Sequence, residues 1–146
     1  MKDIGTKDKP KIWKTDFSSL ENFKRQCREL GVDIPLQADV SILAEPVEVA
    51  GKIIPNSLAV HPMEGCDGDR EGRPSDLTYR RYRRFAAGGA GLLWAEATSV
   101  TGEGRANPRQ LWLREENLDC FKKMVDLTRE SARRSMGHNP FIVAQL

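Results

Sequence analysis

Charge of one sign is what this sequence most plainly lacks: 23 Lys and Arg stand against 21 Asp and Glu in 146 residues, a formal charge of +2. Without a strong net field, composition implies no pull toward nucleic acid or an anionic membrane surface. Long hydrophobic runs are missing as well. The longest weakly polar stretch, residues 85–95, is cut by Gly88, Gly89 and Gly91 and stopped by Glu96, well short of the roughly 20 residues a spanning helix needs. No membrane role is expected. Cysteine is scarce, for Cys27, Cys66 and Cys120 are odd in number, far apart and without a Cys-x-x-Cys pair, which argues against a disulfide scaffold or a zinc cluster. The amino terminus has no apolar stretch, since residues 1–9 are studded with charge, and the expected compartment is the reducing cytoplasm. With 39% hydrophobic residues the chain is not a disordered tail. A chain of this size can bury about 70% of the surface it exposes when unfolded, so one ordinary domain, or part of one, is expected.

What is present is a succession of elements. Residues 1–45 read as an extension with one short helix, in which Ser18-Ser19-Leu20-Glu21 offers a capping box and Leu20, Phe23, Cys27 and Leu30 recur at helical spacing before Gly31. Residues 46–56 hold two β-prone pieces around Ala50-Gly51, a hairpin that Pro55 restricts to a sheet edge. Then the pattern changes. Residues 57–61, 91–97 and 141–146 are nearly continuous apolar runs, which suit strands of a parallel sheet buried on both faces. Between the first two runs lies a helix capped at Ser75 or Asp76, with Tyr79, Tyr82 and Ala86 on one face and arginines spread over the other. Between the second and third, Leu118, Phe121, Val125, Thr128 and Ala132 form a stripe. Glu115, Glu116 and Asp119 open that segment and Arg133 and Arg134 close it, as a helix dipole prefers. The order hairpin, β, α, β, α, β predicts the opening of an α/β protein with parallel neighbours. The last run stops at Leu146 with no helix behind it, which reads as a cut.

Three local motifs have bland readings. Gly88-Gly89-Ala90-Gly91 closes a helix and precedes a strand, the reverse of a dinucleotide fingerprint, and is an αβ turn. Asp67-Gly68-Asp69-Arg70-Glu71-Gly72 starts like a calcium loop, but its twelfth position is Thr78, its eighth is Pro74 and a strand precedes it. A solvated βα loop without metal is expected. Arg80, Arg81, Arg83 and Arg84 interleave with Tyr79, Tyr82 and Phe85, the ingredients of nucleic-acid contact. A non-enzymatic binding fragment using a basic helix over 78–85 is therefore the alternative function, against which the near-neutral charge weighs.

The carboxyl ends of the three apolar runs are more informative. There stand His61-Pro62-Met63-Glu64-Gly65-Cys66, then Glu96-Ala97-Thr98, then Gln145, on the rim where α/β barrels and sheets bind ligands. A binding site is expected on that rim. Purely structural roles are open too, with Glu96 and Thr98 capping the loop that follows them and Gln145 satisfying a neighbouring backbone.

Five segments in order carry a resemblance: Ile54-Pro55-Asn56-Ser57-Leu58-Ala59-Val60-His61-Pro62-Met63, Gly72-Arg73-Pro74-Ser75, Tyr82-Arg83-Arg84-Phe85-Ala86-Ala87-Gly88-Gly89-Ala90-Gly91-Leu92, Glu96-Ala97-Thr98-Ser99-Val100 and Phe141-Ile142-Val143-Ala144-Gln145-Leu146. From about residue 46 onward the chain resembles the amino-terminal part of the old yellow enzyme family of NADH:flavin oxidoreductases. The resemblance implies the first part of a (β/α)8 TIM barrel with an amino-terminal hairpin, truncated after the third barrel strand. It implies FMN as cofactor, NADH or NADPH as reductant, and hydride transfer to an electron-poor alkene or related acceptor. Pro62 and Met63 match the segment lying along the flavin ring, Ala97 the small residue that lets the ring approach, and Gln145 the glutamine on its pyrimidine edge. Glu64 stands where the family commonly has threonine or cysteine near flavin O4 and N5, and a carboxylate there would repel reduced flavin unless protonated or turned away. Cys66 is a substrate-side candidate or plain loop. The family's catalytic residues belong to later strands, so the 146-residue chain alone is expected to be inactive. The partner is a small molecule, with neither nucleic acid nor membrane, and a homo-oligomer is left open.

Overall fold

The computed structural model describes residues 18–146; the charged stretch 1–9 lies outside the described residues. The chain divides after Ala38 into two compact units. Helix α1 (Leu20–Leu30) belongs to the first. Ser19 caps it by accepting the Asn22 N–H at 3.1 Å, and Gly31, at φ 64°, ends it in the left-handed region. No residue of α1 is buried.

The second unit, residues 39–146, opens on a hairpin of β1 (Val47–Val49) and β2 (Lys52–Ile54), paired antiparallel with Val47 opposite Ile54. Ala50 and Gly51 both take positive φ, 49° and 72°, the two-residue turn whose twist matches that of the strands. The remaining strands, β3 (Ala59–Val60), β4 (Leu92–Ala97) and β5 (Phe141–Gln145), form a parallel sheet in the order β3-β4-β5. Helix α2 (Asp76–Ala87) links β3 to β4, and α3 (Leu118–Met136), led by a 3-10 turn at Glu115–Asn117, links β4 to β5. Among the described residues no helix is long and apolar enough to cross a membrane.

Ser75 caps α2 by accepting from the Leu77 and Thr78 N–H groups, and Thr78 reciprocates by accepting from the Ser75 N–H at 3.1 Å. The expected face is buried: Tyr79 and Tyr82 join Ala95, Leu111 and Met124 in one cluster, while Ala86 joins Ala90, Leu93 and Ala132 in another. Small residues at Ala86 and Ala132, neither of them exposed at all, let the two helices lie close.

Three expectations need correction. The first parallel strand is shorter than residues 57–61, because the Asn56 side chain holds the Leu58 N–H and Pro62 has no N–H to continue a ladder. The α3 stripe holds at Thr128 and Ala132, which are buried, but Met124 joins them, whereas Leu118 is 52% exposed and Phe121 and Val125 are half-buried. Contact with α2 decides the burial and takes only part of the stripe the spacing suggests. Third, the apolar runs are not buried on both faces, since Trp94 is 44% exposed and no residue of β5 is buried. The middle strand, β4, also contains a bulge. Trp94 pairs with Val143 and Ala97 with Gln145, so three steps on β4 match two on β5. Ala95 and Glu96 are consequently buried in succession, breaking strand alternation.

Candidate functional site

Segments leaving the carboxyl ends of β3, β4 and β5 meet on one rim of the parallel sheet. Past β3 the chain turns sharply, with the Met63 N–H donating to the His61 carbonyl at 2.8 Å. Met63 stands 77% exposed, Pro62 is half-buried and Glu64 is exposed. On the neighbouring strands Ala97 is the register partner of Gln145, and the Thr98 N–H donates to the Gln145 carbonyl at 2.9 Å. The Gln145 side-chain amide has no hydrogen-bond partner among the described residues, so the reading in which it satisfies a neighbouring backbone is corrected.

Two residues that sequence reasoning missed complete the rim. Gln110 is 6% exposed; its Nε2 donates to Glu64 Oε1 at 3.2 Å and to the Ala97 carbonyl at 3.2 Å, while its Oε1 accepts the Ala106 N–H at 2.6 Å. Asn107 Nδ2 donates to Glu64 Oε2 at 3.1 Å and to Cys66 Sγ at 3.4 Å. The loop that bears them is fastened to Ser99, whose N–H donates to the Leu111 carbonyl at 2.9 Å and whose carbonyl accepts the Leu113 N–H at 2.8 Å. Arg105 staples it further by donating to the Pro108 and Gln110 carbonyls. Glu64, Ala97 and Gln145 are thus brought together by Gln110 and by strand register, with Pro62 and Met63 on the adjoining loop. The Glu64 carboxylate is turned toward two neutral amides. Only Asn107-Pro108, a turn pair, marked this segment in sequence.

Beneath the rim the bulge delivers Glu96, 2% exposed, into a polar cluster. Its Oε1 accepts from Arg81 Nη2 at 2.5 Å and from the Tyr82 hydroxyl at 3.3 Å, and its Oε2 accepts the Gly65 N–H at 2.9 Å. Glu96 therefore fastens the loop after β3 instead of capping the loop after β4, while Thr98 Oγ1 donates to the Glu96 carbonyl at 3.0 Å. Arg81 also forks onto Asp67, with Nε to Oδ2 and Nη2 to Oδ1 both at 2.9 Å. This arginine, 20% exposed, is turned inward, which corrects the expectation that all four helix arginines form a solvated outer face. The Asp67 loop is likewise built rather than simply solvated. Asp67 accepts from Thr78 and Arg81, Asp69 accepts the Arg73 N–H at 2.8 Å, and Ser75 Oγ donates to the Asp67 carbonyl.

These surroundings shift several protonation equilibria. Burial pushes the Asp67 carboxyl up, but the hydrogen bonds from Arg81 and Thr78 outweigh it and hold the group below its ordinary value. Burial also works against the Arg81 charge, yet its two carboxylates raise its pKa. Tyr82 is pushed up to about 12 by burial and then by the Glu96 charge, and Tyr79 to about 12 by burial and then by Cys120. An unfolded tyrosine ionises near pH ~10, so both rings bind their protons more tightly when folded. Their stabilisation is fully present below pH 10 and is lost as pH rises toward 12, where the unfolded chain releases protons that the fold retains. Asp67 works the other way, its contribution being lost as pH falls below about 4. Urea midpoints should therefore decline from pH 10 to 12 in the parent, and Tyr82→Phe should flatten that decline.

No protein-family model matches the chain. An NADPH dehydrogenase of Geobacillus sp. (strain WCH70) is 29% identical over 93 residues, covering 62% of this chain and 27% of the relative. The fold of a 2-naphthoyl-CoA reductase in complex with 2-naphthoyl-CoA matches 73% of this chain and 15% of that one, with a TM-score of 0.63 and 18% identity. The old yellow enzyme of Pichia sp. AKU4542 matches 72% of this chain and 26% of its own, with a TM-score of 0.60 and 20% identity. The chain thus spans about a quarter of the length of the curated relative it matches.

Proposed function

From this likeness to the amino-terminal part of the old yellow enzymes, TIM-barrel oxidoreductases, we propose that residues 46–146 form the first part of an FMN-binding (β/α)8 barrel preceded by an extension, residues 1–45. The whole would be an FMN-dependent oxidoreductase working in the cytoplasm on a small-molecule acceptor. The observation that carries the reading is the meeting of Glu64, Ala97 and Gln145 on one strand-end rim, with no hydrogen bond to the Gln145 side-chain amide among the described residues.

The residues present fit the cofactor. A primary amide donates and accepts at once, which suits Gln145 to the carbonyl and N–H of a flavin pyrimidine edge. Ala97 has the small side chain that a ring needs beside it, and Pro62 and Met63 offer loop backbone along the ring. Glu64 is the departure from the family pattern. Its two oxygens are occupied by Gln110 and Asn107, so its charge is oriented by neutral donors rather than left free against the ring. Bound FMN supplies hydride transfer from NADH or NADPH to an electron-poor alkene or related acceptor, the protein binding, orienting and tuning it. NADPH as reductant and an aromatic thioester as acceptor are what the names of the two relatives say of them, and they support this class of chemistry here. The catalytic acid is assigned to none of the described residues. The nucleic-acid alternative is disfavoured, because Arg81 is committed to Asp67 and Glu96.

The product of the complete reading frame should purify yellow and release FMN on denaturation; a colourless protein that takes up no FMN would overturn the reading. In that protein Gln145→Ala should weaken FMN binding by about 1 to 3 kcal/mol, because a polar edge loses its partner. Fluorescence titration with FMN checks it, and an unchanged affinity removes Gln145 from the site.

A further inference from the structure

We infer that Arg81 is a positioning residue for the rim loop, residues 62–67, and through that loop for the flavin, an inference that rests on the FMN reading above. Besides the contacts of Glu64 and Cys66 with Asn107 and Gln110 and of Asp67 with Thr78 and Ser75, two ties of the loop converge on one guanidinium. At Asp67 the tie is direct, a two-pronged contact at 2.9 Å on each prong. At Gly65 it runs through Glu96, whose Oε2 holds the Gly65 N–H at 2.9 Å while its Oε1 holds Arg81 Nη2 at 2.5 Å. Arg81 sits on helix α2 and Glu96 on the bulged β4, so the loop takes its position from two ordered elements.

Packing gives the same answer independently. A Cβ added at Gly65 would lie 2.3 Å from Arg81 Nη2 and 2.5 Å from Cζ, so the guanidinium lies directly against the loop backbone. A free arginine could swing aside, but this one is pinned by two carboxylates. Charge explains why the position needs arginine. Glu96 and Asp67 are 2% and 14% exposed at their side chains, and without a cation between them two desolvated carboxylates would repel. A lysine restores the charge but offers no planar fork for two acids at once. Gly65 directly follows Glu64, whose oxygens are held by Asn107 and Gln110. Loosening Gly65 therefore loosens the carboxylate at the flavin rim.

The test uses the product of the complete reading frame, with Arg81→Lys and Gly65→Ala as independent ways to break the contact. Each should raise the FMN dissociation constant by about tenfold or more and shift the flavin midpoint potential, with helical circular dichroism unchanged. The potential is the telling readout, since a merely structural role for Arg81 would leave bound flavin with its parental value. In an Arg81→Ala background the clash at Gly65 is gone, so adding Gly65→Ala should cost nothing further. Parental affinity and potential in Arg81→Lys would overturn the inference while leaving the FMN reading intact. Should the parent itself hold no FMN, the proposed function falls and the flavin role of Arg81 with it. Hydrogen exchange at the Gly65 amide then decides the tie: faster exchange in Arg81→Lys upholds it and unchanged exchange overturns it.

Discussion

Ala97→Leu in the product of the complete reading frame is expected to abolish flavin retention while the helices and the sheet persist. Ala97 ends β4 where three partners converge: its carbonyl accepts from Gln110, its register partner is Gln145, and Gln110 links it to Glu64. Gln110 and the register with Gln145 engage its backbone, so these contacts do not depend on the alanine side chain. The demand for a small side chain comes from the ligand. Three added carbons occupy space that a planar ring would need against the strand end, and overpacking of this kind costs about 1 to 3 kcal/mol wherever the surroundings cannot yield. Flavin absorbance per protein should fall to below about a tenth of the parental value, with unchanged circular dichroism on the same sample. A variant that keeps its full flavin would show that Ala97 does not face the cofactor.

The elements that carry the Ala97 rim are legible in the sequence. Ser75 before a Tyr79, Tyr82, Ala86 face is a local signal, and α2 follows it. Ala50-Gly51 between β-prone pieces is another, and the hairpin turn uses both residues at positive φ. The rim was legible because three apolar runs spaced for crossover helices put their carboxyl ends on one side. What the sequence hides is long-range. Leu92-Leu93-Trp94-Ala95-Glu96-Ala97 has no period to show where an extra residue enters, so the inward turn of Glu96 could not be foreseen. Gln110 reaches Glu64 across 46 residues, and no local pattern announces such a pair. Arg81 looks like its neighbours Arg80, Arg83 and Arg84 until the fold sets two carboxylates beside it. In α3 the spacing marks Thr128 and Ala132, and only contact with α2 adds Met124 to them and draws Phe121 against the core, leaving Leu118 and Val125 on an unselected face.

That unselected face leads to the second large effect: the 146-residue chain, produced alone, should self-associate, hold no FMN and leave NADH and NADPH unoxidised. Leu118, Phe121, Val125, Leu113, Ile142 and Leu146 line an open apolar groove of about 400 Å³ beside β5. Trp94, Phe141 and Leu146 are exposed as well. The sheet order β3-β4-β5 leaves β3 and β5 as edges, with unpaired backbone groups along both. An apolar face flanked by free strand edges is a template for association with other chains. Flavin is expected to fare no better, because a (β/α)8 barrel closes with eight strands and gathers its phosphate-binding loops from the later ones, while the parallel sheet of the described residues has three. The Gln145 amide and Ala97 offer one edge of a site that needs two. Size-exclusion chromatography with and without added FMN, followed by a nicotinamide oxidation assay, checks the expectation. A monodisperse, yellow monomer that turns over NADPH would mean that the three-stranded sheet and its rim are sufficient, and that the barrel reading of residues 46–146 is wrong.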